Sequence, residues 1–222
     1  MHRTPLSKRQ LPDYTKGEEV FNMVSHIVGG ALGAAVTVLC VLMAAFHHNV
    51  WGVVSGAIYG GTMIILYTMS SVYHGLSPKL MAKKVFQVID HCSIYLLIAG
   101  TYTPIALVTV RSYSEWLGWT IFGFVWGSAA LGITFTAIDL KKFSKLAMVC
   151  YFTMGWCILV CVVPTFQVLG FWGSAFLLGG GIIYCIGVVF YQIHKRYLHS
   201  IFHIFVVLGS ILQFFCILFF VM

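Results

Sequence analysis

Charged residues are scarce in this sequence. Asp, Glu, Lys and Arg together account for 9% of its 222 residues, whereas 60% are hydrophobic. A soluble domain usually carries about 25% charged residues, so there is too little charge here to cover a surface that faces water. The shortage excludes a soluble globular protein. Apolar stretches of about twenty residues recur along the chain, and the two features together predict a membrane protein.

Long basic runs and basic helix faces are also absent. The formal net charge is +7, but the basic residues lie in short loops between apolar segments, where anionic lipid headgroups are found. Because no basic surface can follow a phosphate backbone, nucleic acid is excluded as a partner.

CxxC pairs are absent as well, although the sequence contains seven cysteines. The cysteines lie almost entirely within apolar segments, so we interpret them as small packing residues rather than disulfide partners. Cys157 and Cys161 have a metal-like spacing of four residues, but their surroundings lack polar partners.

Seven apolar segments follow a polar, basic leader at residues 1–15, which we expect to be loosely ordered. Each segment is long enough to cross a hydrocarbon core of about 30 Å as a helix, the form that satisfies its own backbone groups in lipid. The sequence predicts an all-α integral membrane bundle of seven transmembrane helices, with residues 16–222 as a single domain. The segments run Val20–Phe46, Val50–His74, Phe86–Val110, Trp116–Ile138, Leu146–Thr165, Phe171–Ile193 and His199–Val221.

The basic residues also predict the orientation of the chain. Twelve of the thirteen lie between residues 3 and 16 or in the second, fourth and sixth loops, and only Arg111 lies on the opposite side. Because cytoplasmic loops are enriched in Lys and Arg, the N-terminus is predicted in the cytoplasm and the C-terminus outside. We expect a multi-pass protein of the cell membrane (the plasma or inner membrane).

Polar side chains collect at the cytosolic ends of four predicted helices, although such groups are costly in membrane segments. His74 ends the second helix, Asp90 lies about 9 Å inside the third, and His199 and His203 open the seventh. Their common depth on one side predicts a functional site there. The first helix contributes Glu19, Asn22 and His26 at the same end.

Three of these histidines predict a zinc site. His199 and His203 are four residues apart, so both rings lie on one helix face, and His74 supplies a third nitrogen. Three protein ligands and one water are typical of catalytic zinc, whose bound water ionises near neutral pH. Asp90 is then expected to orient that water and take its proton, or to hold a histidine. Ser70, one turn before His74, is expected to donate to the water or to a substrate carbonyl.

The other polar or unusual residues of these segments have less specific interpretations. His26 is a fourth ligand, a hydrogen-bond partner or a packing residue, and these alternatives stay open. Glu19 and Asn22 are expected to tie the first helix to its neighbours, and Tyr102 and Pro104 to be structural, with Pro104 removing a backbone donor. The remaining histidines that we consider are interpreted as interfacial: His47, His48, His91 and His194.

At these residues the chain resembles the hemolysin III family, bacterial relatives of the progestin and adiponectin receptors. The resemblance covers nearly the whole chain and rests on four motifs that occur in order. They are ExxNxxxH at Glu19, Asn22 and His26; SSxxYH at Ser70, Ser71, Tyr73 and His74; DHCSIYLLIAGTYTP from Asp90 to Pro104; and HSIFH from His199 to His203.

The resemblance implies a seven-helix bundle with zinc near its cytosolic face. By motif position, the zinc ligands are His74, His199 and His203, and Asp90 and Ser70 match the family's aspartate and serine. The wider superfamily includes ceramide-cleaving hydrolases, so the implied substrate is a membrane lipid with a ceramide-like or fatty-acyl group. Bacterial members are also associated with membrane-fluidity homeostasis and, by name, with cytolysis. The chain lacks a long N-terminal domain, so nothing suggests that it binds a protein hormone.

Four functions are therefore considered. The first is a zinc-dependent hydrolase of a lipid amide or ester, and the second is a membrane sensor or receptor-like regulator in which zinc only clamps the helices. The third is a pore, which the apolar outer halves of the helices disfavour. The fourth is an iron site of two histidines and Asp90, but a third histidine favours zinc.

Overall fold

The computed structural model describes residues 3–222, and this part of the chain is helical with no strand. The all-α prediction is confirmed. A 3₁₀ turn at Leu6–Lys8 precedes eight α-helices, with a π-helical segment at Ile105–Val110 and a second 3₁₀ segment at Cys157–Cys161. The α-helices are α1 Lys16–Phe46, α2 Val50–Gly75, α3 Met81–Pro104, α4 Arg111–Tyr113, α5 Glu115–Ile138, α6 Ser144–Gly155, α7 Val162–Gln192 and α8 Leu198–Phe220.

Six helical stretches in the described range are long and apolar enough to cross a membrane, one fewer than the sequence predicts. The difference lies in Ser144–Gln192, a single stretch of 49 residues that contains the fifth predicted segment and all but the last residue of the sixth. The other stretches are Lys16–Phe46, Val50–Gly75, Met81–Tyr113, Glu115–Ile138 and Leu198–Phe220.

The stretch Ser144–Gln192 is interrupted at Gly170. This glycine has φ 65° and ψ −171°, a non-helical conformation inside α7 that residues with a side chain rarely adopt. It lies between the two predicted segments, where the sequence shows little loss of hydropathy. The sequence predicts two separate helices on either side of residues 166–170, whereas the structure has one long stretch in which the backbone leaves helical geometry at Gly170.

Close contact between α1 and α2 depends on small residues. A Cβ atom added to Gly29 would overlap the ring of Tyr67, and one added to Gly33 would lie 3.1 Å from the backbone nitrogen of Ile64. Gly29 and Gly33 are four residues apart on α1, and small residues at this spacing let two membrane helices approach closely.

The helices α1 and α8 run parallel to each other. Near their first residues, the backbone N–H of Tyr197 donates to Glu18 Oε1 at 2.6 Å. At the other end, His47 Nδ1 lies 2.9 Å from the carbonyl oxygen of Met222. The start of α1 and the C-terminal residue therefore lie at opposite ends of the bundle.

The described part of the leader, residues 3–15, packs against the bundle, although we expected it to be loosely ordered. Arg9 is buried, and its Nη2 donates to the carbonyl oxygen of Ile138 at 3.0 Å. The backbone N–H of Thr4 donates to Asp139 Oδ2 at 2.9 Å. These contacts hold the leader across the end of the bundle where α1, α3 and α8 begin and α2 and α5 end.

The chain leaves α-helical geometry directly after Pro104, where the π-helical segment begins. A proline lacks the backbone N–H of a regular helical hydrogen bond, which accounts for a change of helix type at this position. The neighbouring Tyr102 donates its hydroxyl to the carbonyl oxygen of Gly155 at 2.6 Å. Tyr102 therefore makes a structural hydrogen bond and Pro104 changes the helix geometry, which are the structural roles expected from the sequence.

Candidate metal centre

One nitrogen from each of His74, His199 and His203 lies within 4.8 Å of the other two. The Nε2 atoms of His199 and His203 are 3.1 Å apart. Two nitrogens that bind one tetrahedral zinc at 2.0–2.1 Å are separated by about 3.3 Å, so this pair already has nearly the spacing of shared ligands. The structure thus brings together the three histidines that the sequence selected.

The ring of His74 is oriented by Glu19. His74 Nδ1 lies 2.7 Å from Glu19 Oε2. Since an ionised carboxylate only accepts hydrogen bonds, Nδ1 carries the proton, and a metal would bind this ring at Nε2. Nε2 is buried with no hydrogen-bond partner. A buried and unpartnered acceptor is costly, and a bound cation would remove that cost.

Glu19 is itself held by Lys83. The Lys83 ammonium lies 2.8 Å from Glu19 Oε1, so the two carboxylate oxygens are divided between Lys83 and His74. Glu19 was expected to tie the first helix to its neighbours. The structure gives it contacts to α2 and α3, and one of these contacts is to a candidate metal ligand.

The start of α8, which carries His199 and His203, is fixed by Glu18. Tyr197 precedes the helix in a left-handed conformation, with φ 63°, and donates its backbone N–H to Glu18 Oε1. The other oxygen of Glu18 accepts from the backbone N–H of Thr15 in a capping box at the start of α1. One carboxylate therefore joins the first turn of α1 to the first turn of α8.

His26 stacks on His203, with ring centroids 3.8 Å apart and an interplanar angle of 21°. Its edge-on neighbour is Tyr67, at 5.0 Å. Face-to-face rings do not direct their nitrogens at a common ion, so this contact is that of a packing residue rather than a fourth ligand. Both ring nitrogens of His26, and both polar atoms of the Asn22 amide, are buried without partners.

Asp90 and Ser70 lie outside the group of converging nitrogens. Asp90 is half-buried on α3, and its Oδ2 lies 3.7 Å from His91 Nδ1. Ser70 is buried on α2, one turn before His74. Their predicted roles toward water and substrate stay predictions.

Tyr14 covers the histidines from the leader side. Its ring stacks on that of His199 at 4.9 Å and lies 5.8 Å from that of His74. Burial raises the pKa of the Tyr14 phenol above its ordinary value of 10, and nearby Tyr191 and the carboxylates of Glu19 and Asp90 raise it further. The hydroxyl therefore stays protonated and the covering group is neutral.

Sequence reasoning assigned no role in this site to Tyr14, Glu18 or Lys83. Glu18 had a detectable signal, because Thr15 and Glu18 form the S/T-x-x-E pattern of a capping box before an apolar helix. Lys83 was counted among the loop lysines that set the orientation, and no pattern separates it from Lys79 and Lys84.

The four histidines interpreted as interfacial have different surroundings. His47, His48 and His194 are exposed. His91 is partly buried, and its Nδ1 lies 2.8 Å from the carbonyl oxygen of Gln87 on its own helix. Its backbone oxygen accepts from the hydroxyl of Tyr151 at 2.8 Å, so this residue also links two helices.

The chain is similar to bacterial and animal proteins along nearly its whole length. It is 39% identical to Hemolysin-3 of Bacillus cereus over 207 residues, which cover 92% of each chain. It is 37% identical to the Hemolysin-3 homolog of Bacillus subtilis (strain 168) over 208 residues, covering 93% of this chain and 96% of that one. It is also 28% identical to the human Monocyte to macrophage differentiation factor over 229 residues, covering 97% of this chain and 89% of that one.

The family profile described as "Haemolysin-III related" matches residues 14–214. The matched range includes the three converging histidines, Glu19, Lys83 and Asp90. Together with the six apolar helical stretches, these similarities identify the chain as a multi-pass protein of the cell membrane that belongs to the haemolysin-III related family.

Proposed function

We propose that this protein is a zinc-dependent hydrolase that cleaves an amide or ester bond of a membrane lipid and so contributes to membrane lipid homeostasis. The observation that carries the proposal is the unpartnered Nε2 of His74, which converges with nitrogens of His199 and His203. Three imidazoles held in this way leave room for one further ligand at a four-coordinate ion, the arrangement of catalytic zinc sites.

The chain's own residues divide the work at this site. His74, His199 and His203 would hold the ion, and Glu19 fixes the proton of His74 on Nδ1. Zinc, when bound, supplies Lewis acidity and lowers the pKa of a bound water to about 7. Tyr14 limits contact between the histidines and cytosolic water, because its ring lies against that of His199.

Asp90 is the proposed proton acceptor. The carboxylate oxygens of Glu18 already accept hydrogen bonds from Thr15 and Tyr197. Those of Glu19 already contact His74 and Lys83. The contact of Asp90 with His91 is long, at 3.7 Å, so its carboxylate is free to accept a proton from a water or substrate nearby. Ser70 is proposed to donate a hydrogen bond to the substrate carbonyl.

The position of the site supports a lipid substrate. The candidate ligands open α8 and close α2, at the ends of helices whose outward faces are apolar. Large apolar side chains on the outside of the bundle are more than half exposed, as expected for contact with acyl chains. Examples are Val28, Leu131 and Val160.

A regulator with structural metal is the second candidate, and burial favours it. His74 and His203 are each only 2% exposed, and Tyr14 covers the side that faces the leader. A closed site of this kind is suited to clamping α1, α2 and α8 together.

The printed names of the bacterial relatives refer to hemolysis, but the apolar outer halves of the helices disfavour a pore. One cavity of the described bundle, lined by Tyr102 and Gln213 among others, has a volume of about 30 Å³. It has room for one or two water molecules.

The comparison of Asp90→Ala with wild-type protein tests the hydrolase. We expect the variant to keep its zinc, measured on purified protein, while fatty acid release from ceramide-like lipids in micelles falls about 10²-fold or more. Asp13→Ala, the same change at an exposed leader residue, is the matched control, and His203→Ala should lose the metal. Zinc retention with no release by wild-type protein would favour the regulator instead.

The proposed topology has the N-terminus in the cytoplasm, the C-terminus outside, and two crossings within Ser144–Gln192. Support comes from contacts before, within and at the end of this stretch. Asp139, just before it, binds the leader at Thr4, whereas Gly173 lies against Phe220 near the C-terminus. Tyr191 is back at the leader end, 5.8 Å from the ring of His199.

A further inference from the structure

Lys83 occupies an unfavourable position for a lysine. It lies in the first turn of α3, where the helix dipole is positive, and it is only 1% exposed. Both the dipole and burial disfavour a cation there. A residue that opposes local preferences in this way needs compensating contacts, and such conflicts are typical of functional positions.

The compensation comes from the end of α2 and from α1. Lys83 Nζ donates to the carbonyl oxygens of Tyr73, His74 and Leu76 at 2.9, 3.4 and 3.0 Å, at the negative end of the α2 dipole. It also lies 2.8 Å from Glu19 Oε1. The ammonium therefore contacts the backbone of His74 directly and its imidazole through Glu19.

The contact with Lys83 restricts the orientation of the Glu19 carboxylate. The side chain of Glu19 is partly open to solvent, with 16% exposure, so burial alone does not fix its rotamer. Lys83 engages Oε1, and this leaves Oε2 directed at His74 Nδ1. The side chains of Lys83 and His74 have only 2% and 0% exposure, so water does not compete readily for their contacts.

We propose that Lys83 is a positioning residue of the metal centre, which acts through Glu19 to hold the His74 imidazole with Nε2 directed at the ion. The inference rests on the proposed metal site and deepens it. A histidine whose Nδ1–H donates to a carboxylate has a fixed ring orientation with Nε2 directed at the ion, and the carboxylate makes Nε2 a stronger metal ligand. A lysine that only capped α2 would need the three carbonyl contacts but not Glu19.

Zinc affinity separates these two roles. Affinity is measured by competition with a chelator of known affinity, on purified protein whose metal-free thermal stability is measured in parallel. Loss of an outer contact to a metal ligand typically lowers metal affinity 10–100-fold, so we expect Lys83→Met and Glu19→Gln each to raise the zinc Kd by about that factor. The matched controls are Lys79→Met, at an exposed lysine before α3, and Glu115→Gln, at an exposed glutamate, and both should keep the wild-type Kd.

The double variant Glu19→Gln with Lys83→Met is the decisive measurement. If Lys83 acts through Glu19, the double variant should bind zinc about as tightly as the single variant with the lower zinc affinity. The reason is that either single change already removes the contact between Lys83 and Glu19. Losses that multiply would overturn the proposal. So would a Lys83→Met protein whose metal-free form is less stable while its zinc Kd is unchanged, since that result describes a helix cap alone.

Two further results keep the inference distinct from the proposed function. If wild-type protein binds zinc no more tightly than His203→Ala, the metal site itself fails, and this inference fails with it. If wild-type protein binds zinc and Lys83→Met binds it equally well, only the inference fails. If the Lys83→Met protein does not fold, the zinc Kd of Lys83→Arg is compared with that of Lys79→Arg. Lys83→Arg keeps the positive charge but moves it away from its present position.

Discussion

Single residues at the leader end of the bundle each serve two elements. Glu18 caps α1 and accepts from the residue before α8, and Glu19 contacts a histidine of α2 and a lysine of α3. Asp139 connects the leader to the segment after α5, because its Oδ2 accepts from the backbone N–H of Thr4 and its Oδ1 from that of Lys142. Carboxylates therefore connect several chain segments at this end.

The attachment of the leader is expected to depend on pH through Asp139. Hydrogen bonds from Thr4 and Lys142, with the nearby Arg9 cation, hold the pKa of this carboxyl at about 2, below its usual 3.8. Because the folded pKa is lowered, the stabilisation is complete above pH 3.8 and is lost as the pH falls through about 2. Hydrogen exchange of the leader amides, corrected for intrinsic rates, should show protection at pH 5 that disappears near pH 2.

Asp139→Asn is the control for this prediction. It removes the titrating charge, so its leader amides should exchange faster than those of the wild type at pH 5 and show little further change on acidification. Protection in the wild type that already fails between pH 6 and pH 4 would show that another group controls the leader.

Among the helices, α1 and α2 pack most closely, and this contact places Glu19 beside His74. The approach is set by glycines on α1, with the fully buried ring of Tyr67 against Gly29. The hydroxyl of Tyr67 lies 2.7 Å from that of Ser210 on α8, so the ring cannot easily move aside. The same tyrosine therefore couples three helices below the candidate metal centre.

Gly29→Ala is expected to destabilise the bundle. The new methyl group would overlap the Tyr67 ring, and overpacking of this kind costs about 1–3 kcal/mol. Gly61→Ala on α2 is the matched control, because a Cβ there meets nothing within 4 Å, and an alanine in an open helical position stabilises by up to about 1 kcal/mol. Unfolding by SDS in mixed micelles measures both, and equal stability of the two variants would contradict the packing argument.

At the scale of the whole molecule, the two ends of the described chain lie at opposite ends of the bundle. Tyr197 and Glu18 join the starts of α1 and α8, and His47 and Met222 join their ends, so the two helices are parallel. A chain whose first and last helices are parallel crosses a bilayer an odd number of times, which is the basis of the proposed topology.

Reporter fusions test this topology. A periplasmic reporter such as alkaline phosphatase should be active when fused after Met222 or inserted at Gly170, and inactive when inserted between Asp139 and Phe143. Activity at the C-terminus without activity at Gly170 would place the turn of Ser144–Gln192 elsewhere. An inactive C-terminal fusion, with expression verified by immunoblot, would refute the outside C-terminus.

The sequence by itself determined the class of the protein and the histidines of its candidate site. Low charge and repeated apolar segments require membrane helices, because lipid offers no partners for backbone groups. Histidines at one depth in such helices are few, so His74, His199 and His203 could be selected without coordinates. The glycine pair of α1 was equally visible, since small residues at a spacing of four form a local pattern.

Only the tertiary structure decided which neighbours complete the site and how the helices are divided. Tyr14 and Lys83 come from segments that look like ordinary leader and loop, and their place beside the histidines depends on side-chain packing between distant parts of the chain. The division of residues 144–192 likewise depends on the non-helical backbone conformation at Gly170. Hydropathy records how much a residue prefers lipid, and it carries no information about the direction of the backbone or about which side chains meet.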